Sequence, residues 1–332
     1  MTEFLCLGVE TSCDETAAAV LRRDGKLLGS VVASQIDLHQ AYGGVVPEVA
    51  ARRHLERIGP VVREAFGQAG VSQDAIGLVA VTRGPGLAGA LMVGISWAKA
   101  FAFARDVPLI GVNHVVAHAH AAYLEEEPAY PELALVASGG HTDLLLLESP
   151  TSVRVLGRSR DDAAGEAFDK VARSLGLGYP GGPLVERLAE DGDDTAAPLP
   201  RVALFPDSLD FSFSGLKTAA QALRRQDRRP EDIAAAFQAA VFGQLWERTR
   251  IALERTQSRR LIFAGGVSAN GYLRNRFATA LRHEGRTLLV PPLGHSTDNA
   301  GMIARLGLSL YAAGERSPWD MPAEPVIHPF KP

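Results

Sequence analysis

The 332 residues are 46% hydrophobic and 22% charged, the balance of a globular protein with apolar material for one or two full cores; disordered and collagen-like chains are excluded. A formal net charge of −4 supplies no global field for holding a polyanion, although all but five of the 34 basic residues are Arg. Two cysteines, Cys6 and Cys13, lie outside any CxxC pair and frame no disulfide scaffold, which points to a reducing cytoplasm, while 33 glycines against 13 phenylalanines suggest a Gly-rich α/β enzyme with a core of Ala, Leu and Val.

The N-terminus lacks the basic and apolar regions of a signal peptide and reads as a first strand, Phe4 to Val9. The polar turn from Glu10 to Thr16 and a second apolar run, Ala17 to Leu21, complete a hairpin with an acidic, hydroxyl-rich tip. Leu78 to Thr82 is a strand leading through Gly84-Pro85-Gly86 into the apolar run Ala88–Ala104, which Ser96 and Lys99 mark as a buried helix rather than a membrane span. After the strand Leu109 to Val112, Asn113 is placed to cap a helix on which His114 and His118 stand four apart, on one face and within reach of a common ion. That spacing serves metal binding and ordinary packing alike, and it lacks the HExxH glutamate of zinc proteases.

Glu125-Glu126-Glu127-Pro128 closes the first half, and the hairpin design then returns: Leu133 to Ala137, Ser138-Gly139-Gly140-His141-Thr142-Asp143, Leu144 to Leu147. Asp161 to Lys170 opens a helix with Asp162 as its expected cap, a core stripe of Phe168, Val171, Ala172 and Leu175, and an acidic face followed by the loop Tyr179-Pro180-Gly181-Gly182-Pro183. Asp191 to Pro200 is a polar loop. In Phe211 to Lys217, Ser214 is the expected cap, and Lys217 in the first turn is poorly matched to the helix dipole, which suggests an anionic ligand. Leu261 to Ala264 runs into Gly265-Gly266-Val267-Ser268-Ala269-Asn270 and a helix, so each half holds a hairpin followed by a strand, a glycine turn and a helix. Two such lobes facing one another would gather these loops around one cleft. Asp298, before a helix carrying Ile303, Leu306 and Leu310, is the candidate third ligand, its alternative role being an N-cap; two His and one carboxylate suit iron or zinc better than calcium or magnesium. The clusters Arg52/Arg53/Arg57, Arg224/Arg225/Arg228/Arg229 and Arg248/Arg250/Arg255/Arg259/Arg260 are either solvated helix faces or a binding patch. The segment from Pro318 is irregular.

Ten motifs in order, GVETSCDET from Gly8, YGGVVPEVAARRH from Tyr42, GPGLAGALMVG from Gly84, NHVVAHAHAAYL from Asn113, SGGHT from Ser138, DDAAGEAFDKVAR from Asp161, YPGGP from Tyr179, FSFSGLKTA from Phe211, GGVSAN from Gly265 and TDNAGMIA from Thr297, resemble the bacterial TsaD family of tRNA N6-adenosine threonylcarbamoyltransferases, once named O-sialoglycoprotein endopeptidases. The resemblance spans essentially the whole chain; Ala137 and Ser296 depart from the family's usual residues without removing a ligand. It implies an α/β fold of two related actin-like (sugar kinase/Hsp70-like) lobes around a central cleft, residues 1–130 forming the first and 131–300 the second, with a C-terminal helix 301–332 packed back on the first. It implies His114, His118 and Asp298 as ligands of one divalent ion, iron (Fe2+) before zinc, and Val136, Ala137, Ser138, Gly139, Gly140, Asp169, Gly182 and Asn270 as the binding site for threonylcarbamoyl-AMP. The implied reaction moves the threonylcarbamoyl group onto the adenosine 3′ of the anticodon in tRNAs reading codons that start with A, in the cytoplasm, with the paralogue TsaB and the ATPase TsaE as partners. The rival readings are an actin-like ATPase or sugar kinase, a metalloprotease and a non-enzymatic scaffold.

Overall fold

The computed structural model describes residues 4–42, 44–200 and 208–326. The chain divides into two compact units: residues 1–129, 149–153 and 291–332 form the first, and 130–148 with 154–290 the second. Residues 291–300, expected with the second lobe, group instead with the first unit.

The first unit is built on β1 (Leu5–Glu10), β2 (Glu15–Arg22), β3 (Leu27–Ser34), α1 (Ile36–Gln40), α2 (Pro47–Ala69), β4 (Ile76–Gly84), α3 (Ala88–Ala104), β5 (Leu109–Asn113) and α4 (His114–His120). Its sheet runs β3-β2-β1-β4-β5. The first three strands form an antiparallel meander, with Glu10 opposite Ala17, and β4 and β5 add in parallel, with Gly8 opposite Ala80 and Val81 opposite Gly111. β1 is wholly buried, as a continuous apolar run covered on both faces should be.

Chain order then gives, in the second unit except where noted, β6 (Glu132–Ala137), β7 (Thr142–Leu147), β8 (Val153–Arg158), α5 (Ala164–Ser174), α6 (Gly181–Ala189), α7 (Ser214–Arg225), α8 (Pro230–Thr256), β9 (Arg260–Ala264), α9 (Gly271–His283) and β10 (Thr287–Leu289); α10 (Ala300–Ala312) returns to the first unit. The second sheet, β10-β9-β6-β7-β8, read from the other edge, repeats the order of the first: a β6–β7 hairpin with β9 and β10 added in parallel. The repeat seen in the sequence is therefore a repeat of topology. The chain carries no helix long and apolar enough to cross a membrane among the described residues.

α10 lies against β1, β2 and β4. Gly8 permits that approach, since a Cβ there would fall 2.2 Å from the Ala300 carbonyl oxygen. The helix stops at Ala312, so the expected helix over 301–332 is correct only for its first part; Gly314 at φ +95° and the prolines beyond it cannot extend it. Residues 327–332 of that expectation lie outside the described residues.

The first core is mainly aliphatic, centred on Leu5, Leu7, Val9, Val79, Val81 and Leu91, with Phe66 and Phe101 stacked at its edge. The second keeps the expected majority of Ala, Leu and Val and adds Phe168, Phe211, Phe213, Phe237, Phe242, Phe263 and Phe277, each contributing about 1.5–3 kcal/mol by burial.

Candidate active site

In the first unit the carboxyl ends of the parallel strands β1 and β5 deliver Glu10 and, one residue past Asn113, His114. Asn113 caps α4 as expected, its side-chain oxygen accepting from the Val115 and Val116 N–H groups. One helical turn later His118 shares the face of His114, and their rings meet edge to face at 4.7 Å. Asp298 comes to them from residues 291–300, its Oδ1 at 3.1 Å from His118 Nε2 and 3.5 Å from His114 Nε2. Asp298 is not the α10 cap: that role belongs to Asn299, which accepts from the Met302 N–H.

These residues fit a metal ion. One donor atom from each of His114, His118 and Asp298 lies within 4.8 Å of the others. Both ring nitrogens of His118 are buried without a hydrogen-bond partner, because the short approach to Asp298 lacks hydrogen-bond alignment, and an orphaned buried imidazole is what a ligand position looks like before its ion. Acidic groups also crowd as they do around a cation: burial, then Asp298 and Asp14, push the Glu15 carboxyl up to about 10. Burial opposes charge on His114, but Asp298 and Glu10 outweigh it and raise the imidazole to about 9. Glu10 itself is fully buried, and although burial works against its charge, His114 beside it holds the carboxyl below its ordinary value. Two imidazoles and a carboxylate are a transition-metal donor set.

Every residue expected to bind the adenylate lies in the second unit. Val136 and Ala137 end β6 with fully buried side chains, so only their backbone can meet a ligand. Ser138 turns the chain, its hydroxyl accepting from the His141 N–H, while Gly139 and Gly140 are exposed with open space where a Cβ would stand. The glycine that the fold requires is Gly265: at φ +86°, a Cβ would fall 2.4 Å from the Ala137 carbonyl oxygen, so the β6 and β9 loops lie backbone to backbone. Asn270 caps α9 by accepting from the Leu273 N–H, and its buried amide nitrogen has no partner. Asp169 accepts the Gly181 N–H at 2.7 Å, with burial raising its carboxyl, and so ties α5 to the turn before Gly182. α5 also touches the Gly266–Ala269 turn. A cavity of about 680 Å³ opens between α6, α8 and α9, lined by Glu186, Glu190, Gln238, Gly271 and Tyr272 among others, and the buried Gln238 side-chain oxygen in it is unpartnered.

Three local expectations are corrected. α5 begins at Ala164, whose N–H is taken by the Thr142 hydroxyl, and Asp162 instead pairs with Lys170 and Lys217. Ser214 is the first residue of α7, which is capped by Asp161 accepting from the Phe213 and Ser214 N–H groups. Lys217 is therefore matched by Asp162 at 3.2 Å and signals no ligand. Of the arginine clusters, Arg53 pairs with Glu56, Arg250 with Glu254 and Arg260 with Glu132, and Arg248 is buried, while Arg224, Arg225 and Arg228 stay exposed around the end of α7. Sequence reading missed Glu10, Ser12 and Thr82; the polar turn after β1 was the only signal.

Residues 26–305 match the family described as TsaD, tRNA N6-adenosine threonylcarbamoyltransferase. Proteins named tRNA N6-adenosine threonylcarbamoyltransferase from Symbiobacterium thermophilum and Bacillus subtilis are 54% and 47% identical to the chain; each alignment covers 98% of it, with 97% and 96% of the relatives. Among solved structures, nucleotide-bound full-length HypF aligns with TM-score 0.63 at 14% identity over 94% of this chain and 55% of its own. Component A of the Acidaminococcus fermentans (R)-2-hydroxyglutaryl-CoA dehydratase aligns with 0.54 at 15% over 93% and 99%. These likenesses establish a mixed α/β fold of the actin-like ATPase and sugar-kinase type. With nearly the whole length matched by such relatives, the chain belongs to the TsaD family of tRNA N6-adenosine threonylcarbamoyltransferases.

Proposed function

We propose that this transferase moves the threonylcarbamoyl group from threonylcarbamoyl-AMP to the N6 amine of the adenosine 3′ of the anticodon in tRNAs reading codons that begin with A, releasing AMP. The observation that carries the reading, within this family, is the convergence of His114, His118 and Asp298 at the carboxyl ends of the first unit's strands. The amine is a weak nucleophile because its lone pair is delocalised into the base, so the acyl group must arrive as a mixed anhydride. N6 forms a bond to the carbamoyl carbon and loses a proton, the bond from that carbon to the phosphate oxygen breaks, and AMP leaves with the electron pair. Held by the two histidines and Asp298, a divalent ion, iron (Fe2+) before zinc, supplies Lewis-acid polarisation.

In the second unit, the turn Ser138-Gly139-Gly140 takes the threonylcarbamoyl-phosphate end, where the exposed backbone of Gly139 and Gly140 meets developing negative charge. Asp169, Gly182 and Asn270 take the nucleoside end; the free Asn270 amide and the neighbouring cavity, whose Glu186 and Glu190 suit ribose hydroxyls, support this division. We take the two units as the two lobes of the actin-like fold. TsaB and TsaE are the proposed partners, the former on the first unit, where Leu55 and Met92 on α2 and α3 leave large apolar side chains exposed. A metalloprotease would need a free general base, and the carboxylate nearest His114 Nδ1, Glu10, is engaged by three hydrogen bonds.

Mass spectrometry of tRNA nucleosides tests the reading: tRNA is incubated with threonine, bicarbonate, ATP, a separate synthase that makes the adenylate from them, and both partners. The modified nucleoside should appear only when this chain is added, and the chain alone, given the adenylate, should not turn over. Modification without the chain would overturn the assignment; robust turnover by the chain alone would overturn the partner requirement.

A further inference from the structure

We propose that Glu10 is a positioning residue that holds His114 as the tautomer protonated on Nδ1, leaving Nε2 free to ligate the metal. The inference rests on the metal reading above.

Four contacts carry it. Glu10, with no exposed surface, places Oε2 at 3.0 Å from His114 Nδ1. The same oxygen accepts the Thr82 hydroxyl, and Oε1 accepts the Ser12 N–H, both at 2.5 Å. Ser12 Oγ lies 3.2 Å from the same imidazole nitrogen, where its oxygen can accept beside Glu10. A carboxylate only accepts, so the imidazole nitrogen facing Glu10 carries a hydrogen; a metal-bound ring keeps one hydrogen, and with that one held on Nδ1 the donor atom is Nε2, which faces the fellow ligand Asp298. Glu10 sits at the end of β1, Thr82 on the neighbouring β4 and His114 just after β5, so the sheet itself fixes the orientation of the ring.

The carboxylate is replaceable by an amide of the same shape, and its neighbours dictate how that amide would sit. The Ser12 backbone N–H can only donate, so the oxygen of a Gln must face it. The amide nitrogen then points at Thr82 and His114, and a hydroxyl and an imidazole can both turn acceptor. His114 would shift its hydrogen to Nε2 and block its own ligand atom.

The test is zinc binding by the full chain, measured by competition titration on wild type, Glu10→Gln, His114→Ala and the double variant. Glu10→Gln should bind zinc about 10–100-fold more weakly at an unchanged melting temperature. In the His114→Ala background the same change should alter affinity by less than about two-fold, because Glu10 acts through that ring. Wild-type affinity in Glu10→Gln, or an equal loss in both backgrounds, overturns the inference while leaving the metal centre standing; a wild-type chain that binds neither zinc nor, anaerobically, Fe2+ overturns both. Should Glu10→Gln fail to fold, nitrogen-15 spectra of the histidine-labelled, zinc-loaded wild type decide: protonated Nδ1 on His114 supports the assignment, and zinc on Nδ1 or a hydrogen on Nε2 contradicts it.

Discussion

The two units share one sheet order but finish their strands differently. In the first, the strand that opens the hairpin ends on Glu10 and the loops beyond the parallel strands carry imidazole and carboxylate side chains; in the second, it ends on Ala137 and the loops carry backbone, with Gly139, Gly140 and Gly265. The scaffold fixes where a site forms, outside the carboxyl ends of parallel strands, and loop composition fixes what it does there. Side chains in one unit suit a cation, and bare N–H groups in the other suit an anionic, acylated nucleotide.

Variants that remove one unit's chemistry should break this division most severely at the metal. His114→Ala, His118→Ala and Asp298→Ala should each abolish transfer, by more than about a hundred-fold in rate, while circular dichroism shows an intact fold. Loss of the folded state in all three would mean that they are core residues.

Next in size, the glycines of the second unit should separate into two kinds. Gly265→Val meets the Ala137 carbonyl and a left-handed φ, so it should destabilise by at least about 2 kcal/mol and lower the melting temperature by roughly 5 °C or more. Gly140→Val meets nothing within 4 Å, so it should leave melting unchanged and weaken a non-hydrolysable adenylate analogue in calorimetry. Unchanged affinity would make the Ser138–Gly140 turn merely structural.

Asp169→Ala should weaken the same analogue about ten- to hundred-fold, the worth of a charge-assisted acceptor, with a small cost from the lost Gly181 contact. A change confined to part of the pH range concerns Asp143, whose carboxyl is pushed up to about 6 by burial, only partly relieved by Arg158. Because the unfolded chain releases this proton first, stability falls as pH rises from about 4 to 6 and stays lower above. Asp143→Asn should therefore stabilise at pH 7 by about 1–3 kcal/mol and give no advantage near pH 4. Chemical denaturation at both pH values checks it.

The sequence carried the local half of this account. His114 and His118 were legible because both stand on one helix, and the topological repeat because each hairpin and glycine turn is short-range. Asp298 was legible only as a candidate, its capping role an open alternative until the family likeness was added, since nothing local brings it to residues 180 positions away. Glu10 escaped because its partners arrive from far along the chain, Thr82 on the neighbouring β4 and His114 just after β5. Lys217 misled for the same reason: the helix dipole is a local argument, and Asp162 answers it from 55 residues earlier. Glycine content likewise did not distinguish Gly265, which the backbone demands, from Gly140, which it does not.

The division of chemistry between the units is tested most directly by metal content per chain after reconstitution with Fe2+ under anaerobic conditions, compared among wild type, His114→Ala/His118→Ala and Asp169→Ala. The account predicts one equivalent, none and one equivalent. Full occupancy in the double histidine variant, or loss of the metal in Asp169→Ala, would contradict it.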